Sequence, residues 1–188
     1  MDLKLISKDK EKLTFLIKDT NPAYVNTLRR LIIGEVPTLA IDEVNFKQNT
    51  SALYDEVLAH RLGLIPLKTD LKSYSLNPEG KTGPLYEVTL TMKVKGPKIV
   101  YASDLISTDK KVQPTYPGLI IAKLAEGQEI ELEAKAVLGK GKWHAKFSPG
   151  LAFYNAYPNI DIMNPMKCSD AAKICPTNVF RVENKKLK

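Results

Sequence analysis

The run Asn21-Pro22-Ala23-Tyr24-Val25-Asn26-Thr27-Leu28-Arg29-Arg30-Leu31-Ile32-Ile33-Gly34 decides how this chain is read. Asn21 offers a side-chain oxygen to the free N–H groups of a first helical turn. Pro22, at the first helical position, lacks an N–H that would have no partner there. Tyr24, Val25, Leu28, Leu31 and Ile32 then recur at spacings that put them on one face of an α-helix, as a broad apolar stripe. Gly34 and then Pro37 stop it. Burying four such side chains contributes roughly 6–12 kcal/mol before entropy costs. A helix from a second chain would cover the stripe, and so would this chain's own core; the period fits both.

Working outward, Leu3 and Leu5 alternate with polar neighbours before a charged turn at Asp9-Lys10-Glu11-Lys12. Leu13, Phe15 and Ile17 follow, which predicts a β-hairpin. Leu39 to Phe46 reads as extended. A second helix is expected from Ser51 to Leu62, capped by Thr50 or Ser51. Leu53, Val57, Leu58 and Leu62 would face inward and Asp55, Glu56 and Arg61 outward, with Gly63 and Pro66 closing it. Leu71 to Gly83 reads as loop. Tyr86, Val88, Leu90, Met92 and Val94 alternate with polar residues, as do Ile130, Leu132, Ala134, Ala136 and Leu138. That is the pattern of an antiparallel sheet with one wet face. Shorter strands are expected at Leu119–Leu124, Trp143–Phe147 and Leu151–Tyr157. The alternation stops after Asn164-Pro165, taken as a boundary.

The 188 residues carry 28 Lys and Arg against 21 Asp and Glu, a net charge of +7. Such a balance suits nucleic acid, or a place among acidic partners in a large assembly. The lysines are scattered except in the tail and at Lys140, Lys142 and Lys146 around Trp143. That basic-aromatic segment suits stacking of a single strand. A glycine-containing hairpin turn whose Trp143 anchors the next strand suits the same residues better, so direct nucleic-acid contact is not expected. No apolar run approaches the roughly 20 residues that span a bilayer, and the N-terminus shows no signal-peptide core. A cytoplasmic protein without a membrane partner is expected.

No catalytic residues are expected. The two histidines, His60 and His144, lie in different segments. His60 is one turn from Glu56, a helix pair. No phosphate-binding, nucleophile-elbow or zinc-protease motif is present.

Two segments carry more than pattern. Asn26-Thr27-Leu28-Arg29-Arg30, continuing through Gly34-Glu35-Val36-Pro37-Thr38-Leu39-Ala40-Ile41-Asp42-Glu43-Val44, resembles the alpha-type dimerisation motif of RNA polymerases. Leu53-Tyr54-Asp55-Glu56-Val57-Leu58-Ala59-His60-Arg61-Leu62-Gly63-Leu64-Ile65-Pro66-Leu67 resembles a stretch shared by the D-type subunits of archaeal RNA polymerases and their eukaryotic counterparts. Trp143 to Pro149 and Tyr157-Pro158 also look like the archaeal D type. The resemblance implies an α+β fold, with an incomplete dimerisation domain over residues 1–46 and a β-rich inserted domain over 47–162. It implies a non-catalytic platform for transcription, a component of DNA-directed RNA polymerase. Tyr24, Val25, Leu28, Leu31 and Ile32 would pair with the small alpha-like subunit L. Arg29, Arg30, Glu56, His60 and Arg61 are the candidates for contact with large subunits, and other small subunits would adjoin.

Many D-type subunits insert a ferredoxin-like domain with iron–sulfur ligands, and residues 163–188 resemble its remnant. Cys168 and Cys175-Pro176 match part of the CxxCxxCxxxCP pattern, but Pro165 and Ala171 fall where two further ligands belong. No iron–sulfur cluster and no other cofactor are expected. The strand and long helix that complete the dimerisation domain in the family do not follow. They are on another chain, removed or absent, and the isolated chain is expected to be poorly soluble or partly unfolded.

Overall fold

The computed structural model describes residues 1–77, 83–158, 170–177, 179–183 and 186–187. The chain forms two compact units, Met1–Lys18 with Asn155–Lys188, and Asp19–Tyr154.

In the first unit, β1 (Asp2–Lys8) and β2 (Leu13–Lys18) form the expected antiparallel hairpin. Leu3, Leu5, Ile6 and Leu13 are all more than half exposed. Among the described residues, this unit also holds the short helix α3 (Ala171–Ile174) and a two-residue pairing of β9 (Val182–Glu183) with β10 (Lys186–Leu187).

The second unit opens with α1 (Pro22–Gly34). The Tyr24 N–H donates to Asn21 Oδ1 at 2.8 Å, the cap the sequence foretold. The centre of the unit is an antiparallel sheet of β3 (Pro37–Asn49), β4 (Glu87–Lys95), β6 (Ile106–Ser107) and β8 (Glu129–Lys140). Their order across the sheet is β3-β8-β4-β6. Alternation decides its two faces. Val88, Leu90, Met92 and Val94 of β4 are buried, as are Ile130, Leu132, Ala134, Ala136 and Leu138 of β8. The opposite face is polar, and Lys93 and Lys95 stand directly across from Glu131 and Glu129 and pair with them.

The apolar face is covered by α2 (Asp55–Gly63), through Leu58 and Leu62, and by a ribbon of β5 (Lys98–Tyr101) with β7 (Ile120–Leu124). Ile65, Leu67, Tyr74, Leu105 and Val112 from the connecting loops complete the same core. Tyr74 is held there by a 2.8 Å bond from its hydroxyl to Asp109, and burial with that bond pushes its pKa up to about 12. Two irregularities in the β3–β8 register, at Ile41/Glu43 and Phe46/Gln48, take Asp42 and Lys47 out of the ladder and re-aim them.

The expected α+β class holds, and several local expectations need correction. The second helix starts at Asp55, because Ser51 is occupied: its N–H and hydroxyl both donate to Asn49 Oδ1. Val57 is not an inward residue; it is 44% exposed. Trp143–Phe147 is no strand. It is a turn followed by a 3-10 turn at Ala145–Phe147, in which the Lys146 N–H donates to His144 Nδ1. Trp143 therefore does not anchor a following strand and stands 57% exposed, while Phe147 is the buried side chain. Leu151 to Tyr157 forms no strand either, and Leu151, Phe153 and Tyr157 are largely exposed. Strands β5 and β6 had no sequence signal strong enough to find them. The boundary at Asn164-Pro165 and the residue Cys168 lie outside the described residues.

Candidate assembly interface

Helix α1 has no buried residue. Tyr24 and Leu31 are about half exposed at 48% and 49%, and Ile32 is 37% exposed. Val25 and Leu28 are half-buried. A surface helix normally turns its apolar stripe inward. Here Tyr24, Leu31 and Ile32 of the stripe stay exposed, as does Val36 just beyond the helix end. Exposed apolar side chains on one helix face make it a candidate docking surface.

Beside the stripe, Arg29 is held in one orientation: its Nε and Nη2 both donate to Asn26 Oδ1, at 3.1 and 3.0 Å. A planar guanidinium held this way suits bidentate pairing with a carboxylate. Arg30, one residue on, is exposed. Both line a cleft of about 440 Å³ with Thr27, Leu31, Glu35, Gly141 and Lys142.

The other expected contact residues lie on α2. Glu56 and His60 are exposed, and no ion pair joins them among the described residues. Arg61 works inside the unit: its Nε donates to Ile121 O and its Nη2 to Ile120 O, both at 2.8 Å. It thereby satisfies carbonyls on strand β7 and ties α2 to the ribbon. Sequence position does not distinguish this role from a surface one.

The basic-aromatic segment is built as a joint. Lys140 Nζ lies 2.8 Å from Glu35 Oε2, Lys142 Nζ lies 3.9 Å from Glu35 Oε1, and Lys146 pairs with Asp42. The hydrogen bond and charge of Lys140 hold the Glu35 carboxyl below its ordinary range. Each lysine thus has a carboxylate within reach, which weakens the case for a strand of nucleic acid. The sequence reading missed Glu35, Asp42 and Asn26, whose importance appears only from their partners.

Cys175 lies on the first unit. Its thiol contacts Thr177 Oγ1 at 3.4 Å, and this with backbone N–H groups brings its pKa down to about 7. Among the described residues no three His, Cys, Asp or Glu side chains gather as metal ligands, and no helix is long and apolar enough to cross a membrane.

Residues 41–150 match the family model described as the RNA polymerase Rpb3/RpoA insert domain. The chain is 44% identical over 160 residues to the DNA-directed RNA polymerase subunit Rpo3 of Pyrococcus horikoshii, covering 85% of this chain and 61% of that one. It is 41% identical over 189 residues to the Rpo3 subunit of Methanosarcina mazei, covering 97% and 71%. It is 40% identical over 199 residues to that of Methanosphaera stadtmanae, covering 100% and 73%. The chain thus spans about three fifths of the length of the Pyrococcus relative and more of the other two.

Proposed function

Because this chain belongs to the Rpo3 family, the archaeal D type of DNA-directed RNA polymerase subunits, we propose that it is a non-catalytic assembly platform in that enzyme. It pairs through α1 with a small alpha-like subunit, the L type, and presents the β-rich unit to the large subunits and to other small ones. The observation that carries this reading is the stripe of Tyr24, Val25, Leu28, Leu31 and Ile32, of which Tyr24, Leu31 and Ile32 are exposed and none is fully buried. Its cover, in this reading, is a similar helix of the partner, across an interface of roughly 1,600 Å² or more. Arg29 and Arg30 beside the stripe take carboxylates of a large subunit, and Glu56 and His60 on α2 add a second contact. Arg61 contributes to that contact by holding α2 in place.

The platform works in the cytoplasm, holds no cofactor and carries out no chemistry. Two thiols are available in the whole sequence, where a cubane cluster needs four ligands. Direct nucleic-acid binding by the Lys140–Lys146 segment is the weaker alternative, since Glu35 and Asp42 partner its lysines. Absence of single-stranded RNA or DNA retardation at low salt removes it.

The test is co-purification. Leu28→Asp places a charge in the middle of the stripe and is expected to abolish recovery of the small alpha-like subunit with this chain. Unchanged recovery would overturn the pairing role.

A further inference from the structure

We propose that the turn Lys140-Gly141-Lys142 is a clamp that sets the direction of α1, with Gly141 and Glu35 as positioning residues for pairing. The inference rests on the pairing role proposed for that helix.

With no fully buried residue, α1 is only weakly oriented by burial. Among the described residues, the hydrogen bonds and ion pairs joining α1 to the rest of its unit gather at its C-terminal end. The last carbonyls of a helix have no intrahelical partner. The Gly34 carbonyl accepts the Lys142 N–H at 3.0 Å. One residue on, the Glu35 carboxylate takes Lys140 at 2.8 Å, with Lys142 nearby. Pro37, the first residue of β3, stands opposite Lys140 in the sheet ladder. The end of the helix, the start of β3 and the end of β8 therefore meet at one corner.

That corner closes only around a glycine. A Cβ on Gly141 would lie 2.2 Å from the Ile33 carbonyl oxygen and 3.2 Å from its carbon. Real Cβ atoms do not come under 3.0 Å, and the obstacle is backbone, so the helix end must retreat by at least about 0.8 Å. The helix is about 20 Å long at 1.5 Å per residue, so a tilt at this end is amplified toward Tyr24. A stripe aimed wrongly loses its partner while the sheet behind it stays intact.

The experiment uses the full chain co-expressed with the small alpha-like subunit. It reads the dissociation constant of the pair together with amide exchange in β4 and β8. Gly141→Ala is expected to weaken pairing about tenfold or more with sheet exchange unchanged. Gly150→Ala, where a Cβ meets nothing within 4 Å, serves as the neutral control. Glu35→Lys should weaken pairing as well, and Lys140→Glu added to it should restore the constant to within about threefold. In Glu35→Lys the exchange of β4 and β8 should stay unchanged, which separates positioning of α1 from a general loss of the fold.

Pairing by Gly141→Ala within about twofold of the unaltered chain, with Leu28→Asp unable to pair, overturns the clamp and leaves the pairing role standing. Unimpaired pairing by Leu28→Asp overturns both. If Gly141→Ala also loses β4 and β8 protection, the charge exchange decides: restoration supports the clamp, and no restoration overturns it.

Discussion

Leu31 and Leu62 have the same side chain and opposite fates, and truncating each to alanine separates an interface helix from a core helix. Leu62 on α2 is fully buried at 0% exposure, inside the cluster that includes Leu58. Its loss removes transfer energy and leaves a cavity, a cost of about 2–5 kcal/mol. Leu31 on α1 is 49% exposed in the free chain. Its truncation costs the folded unit about 0.5 kcal/mol or less, the ordinary surface value. In the pair, the exposed half of Leu31 becomes covered. Half of the roughly 1.5–3 kcal/mol for burying a leucine is about 0.7–1.5 kcal/mol, or a factor of about 3 to 12 in affinity. Amide exchange at the paired residues Leu90, Met92, Leu132 and Ala134 reports the stability of the sheet. Titration with the small alpha-like subunit reports pairing. Leu62→Ala should lower protection across the sheet, and Leu31→Ala should leave it unchanged while weakening the pair. Loss of sheet protection by Leu31→Ala equal to that of Leu62→Ala would place α1 in the chain's own core and rule out an interface helix.

Acid should loosen the second unit through Asp70. The Lys111 ammonium, the Lys72 N–H and the Ser73 hydroxyl bring its pKa to about 2 from an ordinary 3.8. A depressed carboxyl contributes stability that is full above the unfolded value and lost as pH falls from about 4 to about 2. Asp70→Asn should flatten that part of an acid-unfolding curve; an unaltered curve would contradict it. A Cβ on Gly139 would lie 2.6 Å from the Phe147 ring, so Gly139→Ala should cost about 1–3 kcal/mol by overpacking, read as lost exchange protection at the β3–β8 pairing. The purified chain should be colourless and free of iron even after anaerobic reconstitution with iron and sulfide, and a stoichiometric charge-transfer absorption would contradict this. At high concentration the chain without its partner should aggregate through exposed apolar side chains such as Leu31 and Ile32, and the small alpha-like partner should restore solubility; a free chain that stays monomeric at high concentration would oppose that.

Much of the architecture was legible where one signal acted alone. The Asn21 cap and the stripe gave α1 its bounds, and strict alternation gave β4 and β8 and their buried face. Legibility failed where a side chain had two competing partners. Ser51 resembles a helix cap, yet Asn49 engages it and the helix waits for Asp55. The alternation Trp143-Ala145-Phe147 resembles a strand, yet His144 curls the backbone and bare Gly139 admits the Phe147 ring. In the interface, the stripe could be read from spacing, but which of two covers it needs could not. The work of Arg61 and Gly141 depends on carbonyls at Ile120, Ile121 and Ile33, which are remote in sequence or silent in any motif.

Hydroxyl-radical footprinting of the chain, free and bound to the small alpha-like subunit, would show whether the side chains of α1 change their surroundings. Oxidation of Tyr24, Leu31 and Ile32 should drop sharply in the pair, while Ile106, exposed on the edge strand β6, keeps its rate. Equal oxidation of the three α1 residues in both states would contradict it.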